Sequence, residues 1–164
     1  MRCTSFENMK NLATLYFFGK ISPAPGTVGS LIGMVAGLFL VYFASISFFL
    51  FFLIILFLIS YFSVKSYIVN QYKSEHDPKE VIIDEFLGQL ISMIPIFYFV
   101  TNLYLTLIYA FISLLLFRFF DIIKPWPIIY FDQIETPLGV VLDDVIAGII
   151  SALLLYIILY IGLI

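Results

Sequence analysis

Residues 145–164 read VIAGIISALLLYIILYIGLI, a run of 20 residues without a charged side chain. Two further uncharged stretches, 21–64 and 86–117, precede it. About 20 apolar residues of helix cross the hydrocarbon core of a bilayer, so runs of this length indicate membrane spans. The composition agrees, because 63% of the 164 residues are hydrophobic and only 12% are charged. The sequence therefore predicts an all-α, integral membrane helical bundle that forms one domain over residues 1–164.

The helix boundaries follow from prolines, glycines and short polar turns. We predict four to five spans. The first three lie over about 28–43, 48–64 and 79–99, the fourth ends near Ile123, and the last begins near Gly139. Pro95 is expected to kink the third of these helices, and Asp77-Pro78 to cap its start. Two prolines and a glycine fall within 22–27, so a loop is expected there, and prolines predict another loop over 124–138.

Residues 4–18 show a different pattern. Thr4 is followed three residues later by Glu7, which is the capping-box pattern of a helix start. Apolar residues then recur on one helical face, which indicates a short N-terminal helix lying along the membrane interface. The alternative, that this segment begins the first span, is left open.

The charged residues all fall in three stretches, 1–20, 65–85 and 118–144. Counting spans places these three stretches on one side of the membrane and the uncharged turns at 45–47 and 101–102 on the other. Since that side holds all eight Lys and Arg, the positive-inside rule makes it cytoplasmic. We therefore expect a multi-pass protein whose chemistry lies at the cytoplasmic face.

Five carboxylates are predicted at helix ends, about one turn from the hydrocarbon boundary: Asp84, Glu85, Asp121, Asp143 and Asp144. Ionisable groups at that depth are costly unless they are paired or hydrated, and five converging acids repel one another unless a cation lies among them. Oxygen ligands without neighbouring His or Cys suit Mg²⁺ or Mn²⁺ better than zinc. The alternative is that the acids only pair with nearby bases to hold loops at the interface.

Helical spacing indicates how the acids converge. Asp84 and Gly88 share one stripe of the third predicted helix, and Asp144 and Gly148 share one stripe of the last. Small residues let two helices approach closely, so we expect Asp84 and Asp144 to meet at the cytoplasmic rim. Glycines at 29, 33 and 37 form a similar stripe on the first span.

Basic residues near these acids suggest a phosphate ligand. Arg118, Asp121 and Lys124 recur every three residues, which sets two cations beside one carboxylate. Cations beside a carboxylate-held metal are what a bound phosphate group requires. His76 is the only histidine, which excludes a mechanism with two catalytic histidines. The remaining mechanism is one in which a metal ion activates water to attack a phosphomonoester. The sequence has no basic stripe, which argues against nucleic acid as a ligand.

Four segments resemble the bacterial phosphatidylglycerophosphatase A family in the same order along the chain. They are PGTVGS (25–30), IDEFLGQ (83–89), FRFFDIIKPWPI (117–128) and LDDVIAG (142–148). The resemblance implies a Mg²⁺-dependent lipid phosphatase of the bacterial inner membrane. It would hydrolyse phosphatidylglycerophosphate, a phospholipid in the bilayer, to phosphatidylglycerol and phosphate. One departure is Ser22, where the family usually has proline.

The resemblance also implies roles for individual residues. The five carboxylates named above would be metal-binding and catalytic groups. Arg118 and Lys124 would bind the phosphate, and Thr27 with Gly26 would shape the loop around it. The assignment of one carboxylate as base and of the others as metal ligands is left open. No protein partner is predicted, and homo-oligomerisation is left undecided. The alternative function is a small ion- or proton-coupled transporter, which would need acids near mid-membrane.

Overall fold

The computed structural model describes residues 9, 11–16, 18–70, 80–100 and 102–162. These residues form helices and turns and include no strand, which confirms the all-α prediction. The helices are α1 (Phe18–Ile21), α2 (Pro25–Phe43), α3 (Ile46–Asn70), α4 (Ile83–Ser92), α5 (Ile96–Phe99), α6 (Leu103–Ile123), α7 (Ile128–Asp132) and α8 (Pro137–Gly162).

Four helices of the described chain are long and apolar enough to cross a membrane, namely Pro25–Phe43, Ile46–Ile68, Leu103–Ile123 and Pro137–Gly162. Their outward faces carry large apolar side chains, such as Phe51, Ile54 and Leu58 of α3, which are at least half exposed. A protein in water rarely exposes a continuous surface of this kind, whereas lipid tails solvate it well. The predicted membrane bundle is therefore confirmed.

The third predicted helix is broken rather than kinked. Helix α4 ends at Ser92, and α5 begins at Ile96 after a turn. Pro95 has no N–H to donate and its ring clashes with the carbonyl four residues earlier, so the turn uses tighter i→i−3 hydrogen bonds, such as Met93 N–H to Leu90 O at 3.1 Å. Neither half is long enough to count among the four spans.

The start of this helix also differs from the prediction. Residues 80–82 are not helical, because the Ile82 N–H donates to Ala13 O at 2.9 Å and ties the segment to the N-terminal part of the chain. The helix therefore begins at Ile83 and not near Lys79. Asp77-Pro78 and Lys79 lie outside the described residues, so the predicted cap stays a prediction.

Helices α2 and α8 each begin with a proline, at Pro25 and Pro137, earlier than the sequence predicts. Proline suits the first helical position because its missing N–H would have no partner there and its φ is already helical. The expected loop over 22–27 is therefore wrong for Gly26 and Thr27, which lie in the first turn of α2. Helix α7 likewise replaces part of the loop expected over 124–138.

Within the described part of 4–18, residues 14–16 form a turn, and Phe18 begins α1. Residues 11–13 are helical, but Leu15 and Tyr16 have φ of 43° and 67°. Left-handed residues cannot continue a right-handed helix, so a helix through residue 18 is wrong, and the segment is not continuous with the first span. Residues 1–8 lie outside the described chain.

Helix α4 lies at the centre of the bundle and packs against α2, α3, α6 and α8. Glycines allow this approach on two sides. A methyl group on Gly148 of α8 would collide with the backbone O of Gly88, and one on Gly33 of α2 would lie 2.9 Å from Phe86 O. The predicted close packing of both small-residue stripes is confirmed, and it holds the N-terminal end of α4 between α2 and α8.

Candidate metal and phosphate site

Three of the predicted acids form a close group at the end of the bundle. One carboxylate oxygen from each of Asp84, Glu85 and Asp144 lies within 4.8 Å of the others. Asp84 and Asp144 are almost completely buried, with 3% and 4% of their surface exposed. The contact between Gly88 and Gly148 is one turn further along both helices, so it is the helix crossing that brings the two aspartates together. This prediction is confirmed.

The group contains oxygens that the surrounding protein leaves unsatisfied. Within the described residues, Glu85 Oε2 and Asp144 Oδ1 are buried and have no hydrogen-bond partner. The charges acting on Asp144 are those of other carboxylates, first Asp121 and Asp143 and then Asp84 and Glu85. Buried like charges repel one another, and a cation among them would offset this repulsion. Three hard oxygen ligands, two of which have a buried oxygen without a partner in the described chain, fit Mg²⁺.

Asp121 and Asp143 are arranged differently from this group, because each contacts a basic side chain. Asp121 accepts a hydrogen bond from Arg118 three residues earlier on α6, and Lys124 Nζ lies 2.7 Å from Asp143 Oδ2. The alternative that acids pair with nearby bases at the interface thus applies to Asp121 and Asp143. Their roles as metal ligands stay predictions, although the charge of Asp121 acts on both Glu85 and Asp144.

Lys124 joins α6, α7 and α8. It ends α6 in a left-handed conformation, with φ 47° and ψ 54°, and its side chain forms ion pairs with both Asp132 and Asp143. Burial lowers the pKa of Lys124, but the Asp143 charge and the hydrogen bonds to Asp132 and Asp143 outweigh burial and raise this pKa above its ordinary value. Lys124 is therefore a fixed cation, and its partners are Asp132 and Asp143 rather than Asp121.

A cavity of about 370 Å³ opens beside the acids, between the first turn of α2, the start of α4 and the end of α6. Its lining residues are Ala24, Pro25, Gly26, Thr27, Val81, Glu85, Arg118, Asp121, Ile122 and Lys124. The cavity therefore contains all three residues predicted to bind phosphate, together with two of the five predicted acids.

Gly26 gives the charged side chains room within this cavity. A methyl group at this position would lie 2.5 Å from Glu85 Oε1 and 3.0 Å from Arg118 Nη1. Helix α2 has no side-chain cap, and its first backbone hydrogen bond runs from Val28 N–H to Ala24 O. The N–H groups of Gly26 and Thr27 thus precede the helical hydrogen bonds, and such groups at a helix N-terminus bind anions well.

Sequence reasoning missed two residues at this site. Asp132, which lies in the loop expected over 124–138, pairs with Lys124, and only the path of the chain through α7 reveals this contact. Gln89 received no role, although it follows Glu85 by four residues and so shares its helical face. It is completely buried, and its Oε1 has no hydrogen-bond partner within the described chain.

A helical membrane bundle that gathers acids and cations around one cavity is the arrangement expected of a membrane-embedded phosphohydrolase. The sequence model of the phosphatidylglycerophosphatase A family matches residues 11–159. Phosphatidylglycerophosphatase A of Haemophilus influenzae is 36% identical over 150 residues, covering 91% of this chain and 87% of the relative. The Escherichia coli protein of the same name is 37% identical over 82 residues, covering 49% of this chain and 44% of its own length. The chain belongs to the phosphatidylglycerophosphatase A family. No solved structure matches it.

Proposed function

We propose that this protein is a phosphatidylglycerophosphatase, which hydrolyses the phosphomonoester of phosphatidylglycerophosphate to phosphatidylglycerol and phosphate. One observation carries the proposal beyond the family membership. Acids with unsatisfied oxygens, an arginine and the N-terminus of α2 border or adjoin the same cavity. Such a site attracts a cation and a phosphate group together.

Asp84, Glu85 and Asp144 are the residues that would hold Mg²⁺. When bound there, Mg²⁺ would act as a Lewis acid, withdrawing charge from the phosphate and lowering the pKa of water. Asp121 and Asp143 contribute negative charge beside this group, and the cations that pair with them keep the two side chains in fixed positions.

The phosphate group would bind in the cavity opposite these acids. Arg118 presents both terminal nitrogens to Gly26, with Nη1 and Nη2 at 3.0 and 3.3 Å from the place where a methyl group would stand. The bond to Asp121 holds the guanidinium there, and a planar guanidinium matches the oxygens of phosphate. The rest of the surface that would face the phosphate is formed by Thr27, by the N-terminal amides of α2 and by the positive charge of Lys124.

Hydrolysis needs a group that takes a proton from the attacking water. Of the three clustered acids, Glu85 is the one that lines the cavity, and its Oε1 is next to Gly26 and Arg118. We assign the proton to this carboxylate as water oxygen bonds to phosphorus and the bond from phosphorus to the glycerol oxygen breaks. Glu85 then returns the proton to the departing glycerol oxygen, which leaves phosphatidylglycerol, phosphate and an ionised Glu85. A positioned base of this kind accelerates a reaction by about 10²–10⁴-fold.

The position of the site fits a lipid substrate. Asp84 and Glu85 lie in the first turn of α4, and Asp121 lies in the last turn of α6. Helix ends are where headgroup phosphates lie, so the acyl chains remain in the bilayer during reaction. We further propose that the membrane is the bacterial inner membrane and that the site faces the cytoplasm, as the distribution of Lys and Arg indicates. A transporter relay would need acids at mid-membrane, which disfavours that alternative.

The proposal is tested with purified protein in detergent. Given phosphatidylglycerophosphate and Mg²⁺, the protein should release inorganic phosphate; EDTA should stop the release and added Mg²⁺ should restore it. Glu85→Gln is the matched variant, because it keeps the shape of the side chain but can neither take the proton nor offer a charged ligand to Mg²⁺. Failure of the wild-type protein to release phosphate with any divalent metal would contradict the proposed function.

A further inference from the structure

Gln89 forms the layer of the bundle directly beneath Glu85. Both side chains face α2: methyl groups placed on Gly29 and Gly33 would lie 3.5 Å from Glu85 Cβ and 3.1 Å from Gln89 Cβ, respectively. Side chains four residues apart on a helix have Cβ atoms about 5–6 Å apart. Gln89 is completely buried, so whatever contacts its polar end must also be buried.

A chain of hydrogen bonds fixes the direction of the Gln89 carboxamide. Because α4 ends at Ser92, the Met93 N–H bonds to Leu90 O instead of Gln89 O. The Ser92 hydroxyl donates to Gln89 O in its place, at 2.7 Å. Ser92 Oγ has then used its only hydrogen, so it accepts from Ser113 Oγ at 2.6 Å. Ser113 Oγ in turn accepts from Gln89 Nε2 at 3.2 Å.

This order of donors leaves the Gln89 Oε1 atom directed away from Ser113. Within the described chain Gln89 Oε1 and Glu85 Oε2 are both buried acceptors without a donor. Neither oxygen can donate to the other, whereas a water molecule has two hydrogens and can donate to both. The two hydrogens of a water molecule point about 105° apart, so one water bridges two acceptors roughly 4.5 Å apart. Side chains one helical turn apart have Cβ atoms about 5–6 Å from each other, which allows their polar ends to approach to such a separation.

We propose that Gln89 is a positioning residue whose Oε1 accepts a hydrogen bond from a buried water molecule that also donates to Glu85 Oε2. The water holds the Glu85 carboxylate toward Asp84 and Asp144. This inference rests on the proposed function, in which these three acids hold a divalent cation. Groups that orient metal ligands affect binding strongly, and their loss typically weakens metal affinity or activity about 10–100-fold.

The test compares two substitutions at Gln89. Gln89→Met keeps the length of the side chain and removes the acceptor, whereas Gln89→Glu keeps an acceptor oxygen. Mn²⁺ binding to the purified protein, measured by electron paramagnetic resonance without substrate, should weaken about tenfold in Gln89→Met. Gln89→Glu should bind Mn²⁺ at least as tightly as the wild type.

Thr106→Val is the matched control. Thr106 is also buried, at 1% exposure, but its hydroxyl bonds to Asn102 O at the opposite end of α6. This variant should bind Mn²⁺ like the wild type. Equal weakening in Thr106→Val and Gln89→Met would overturn the inference, because general loosening of the bundle would then explain both results.

Unchanged Mn²⁺ affinity in Gln89→Met would overturn the inference as well. If that variant does not fold, Ser113→Ala replaces it in the test, since it removes the acceptor that orients the Gln89 carboxamide. Ser113→Ala should weaken Mn²⁺ binding severalfold, and unchanged binding would again overturn the inference. Wild-type protein that binds Mn²⁺ without releasing phosphate contradicts only the proposed function. Wild-type protein that binds no Mn²⁺ overturns the metal site and this inference together.

Discussion

Asp143 and Asp144 are neighbours in the chain, yet they belong to two different regions of the site. Asp143 contacts Lys124, whereas Asp144 lies with Asp84 and Glu85 and keeps one buried oxygen without a partner in the described structure. Successive residues on a helix point about 100° apart, so one side chain reaches toward α7 and the other toward α4. The comparison teaches that equal charge at adjacent positions does not mean equal function.

The two regions differ in what balances their charge. In the paired region, Asp121 and Asp143 have cations supplied by the protein itself. In the clustered region, Glu85 and Asp144 each have a buried oxygen without a hydrogen-bond partner among the described residues, and an added cation or water would satisfy these oxygens. We therefore expect substitutions in the clustered region to affect chemistry most, and substitutions in the paired region to affect phosphate binding and stability.

The largest effect is expected for Asp144→Asn. The amide keeps the shape of the side chain but removes the charge, so kcat should fall at least about a hundredfold. The Mg²⁺ concentration for half-maximal rate should rise, because a ligand has been lost. Asp143→Asn is the control and should lower kcat by about tenfold or less. Equal losses in both variants would show that the division into two regions is wrong.

A smaller effect is expected for Gly26→Ala. The new methyl group would lie 2.5 Å from Glu85 Oε1 and must displace it or Arg118, so kcat/KM should fall by about tenfold. Both contacts are ends of flexible side chains, so the melting temperature should hardly change. Gly148→Ala should instead lower the melting temperature, since its methyl group meets the rigid backbone of Gly88. Overpacking of this kind typically lowers the free energy of unfolding by about 1–3 kcal/mol. Thermal unfolding in detergent separates the two, and a folding defect in Gly26→Ala would count against the cavity we describe.

Lys124→Met should have a moderate effect on binding and stability. It removes the cation that contacts Asp132 and Asp143, so the largely buried carboxylate of Asp143, with a side chain only 7% exposed, would lose its ion pair with Lys124. We expect KM for the lipid to rise about fivefold, with a lower melting temperature and a smaller change in kcat. A fall in kcat as large as that of Asp144→Asn would place Lys124 in the chemical step instead.

The smallest effect is expected for Asp132→Asn. Its carboxylate contacts Lys124, but Lys124 retains Asp143 as a partner, and the Asp132 side chain is 38% exposed. Partly exposed ion pairs contribute about 0–1 kcal/mol, so activity should stay within about threefold of the wild type. Steady-state kinetics of Asp132→Asn and Lys124→Met, compared side by side, would reveal whether Lys124 depends on one partner or on both.

The sequence predicted the four long spans and the meeting of Asp84 with Asp144, because hydrophobic run length and small-residue spacing are local properties; the further span expected over 79–99 as one continuous helix was wrong. The sequence did not predict the division of the acids, since that depends on how each helix is rotated in the bundle. The left-handed turn at Lys124, with φ 47°, directs its side chain to Asp143 and could not be read from residue types. The break before Pro95 was anticipated only as a kink, because the tertiary setting decides how far a proline disrupts a helix.

The unpartnered oxygens of Glu85 and Asp144 also have a consequence for how the chain folds. The glycine contacts of α4 bring like charges together whether or not a cation is present, so the repulsion opposes folding of the ion-free protein. A ligand that binds only the folded state stabilises it, by about 2.7 kcal/mol when present at a hundred times its Kd. With Mg²⁺ as that ligand, the ion would help the membrane bundle to assemble before it takes part in any reaction.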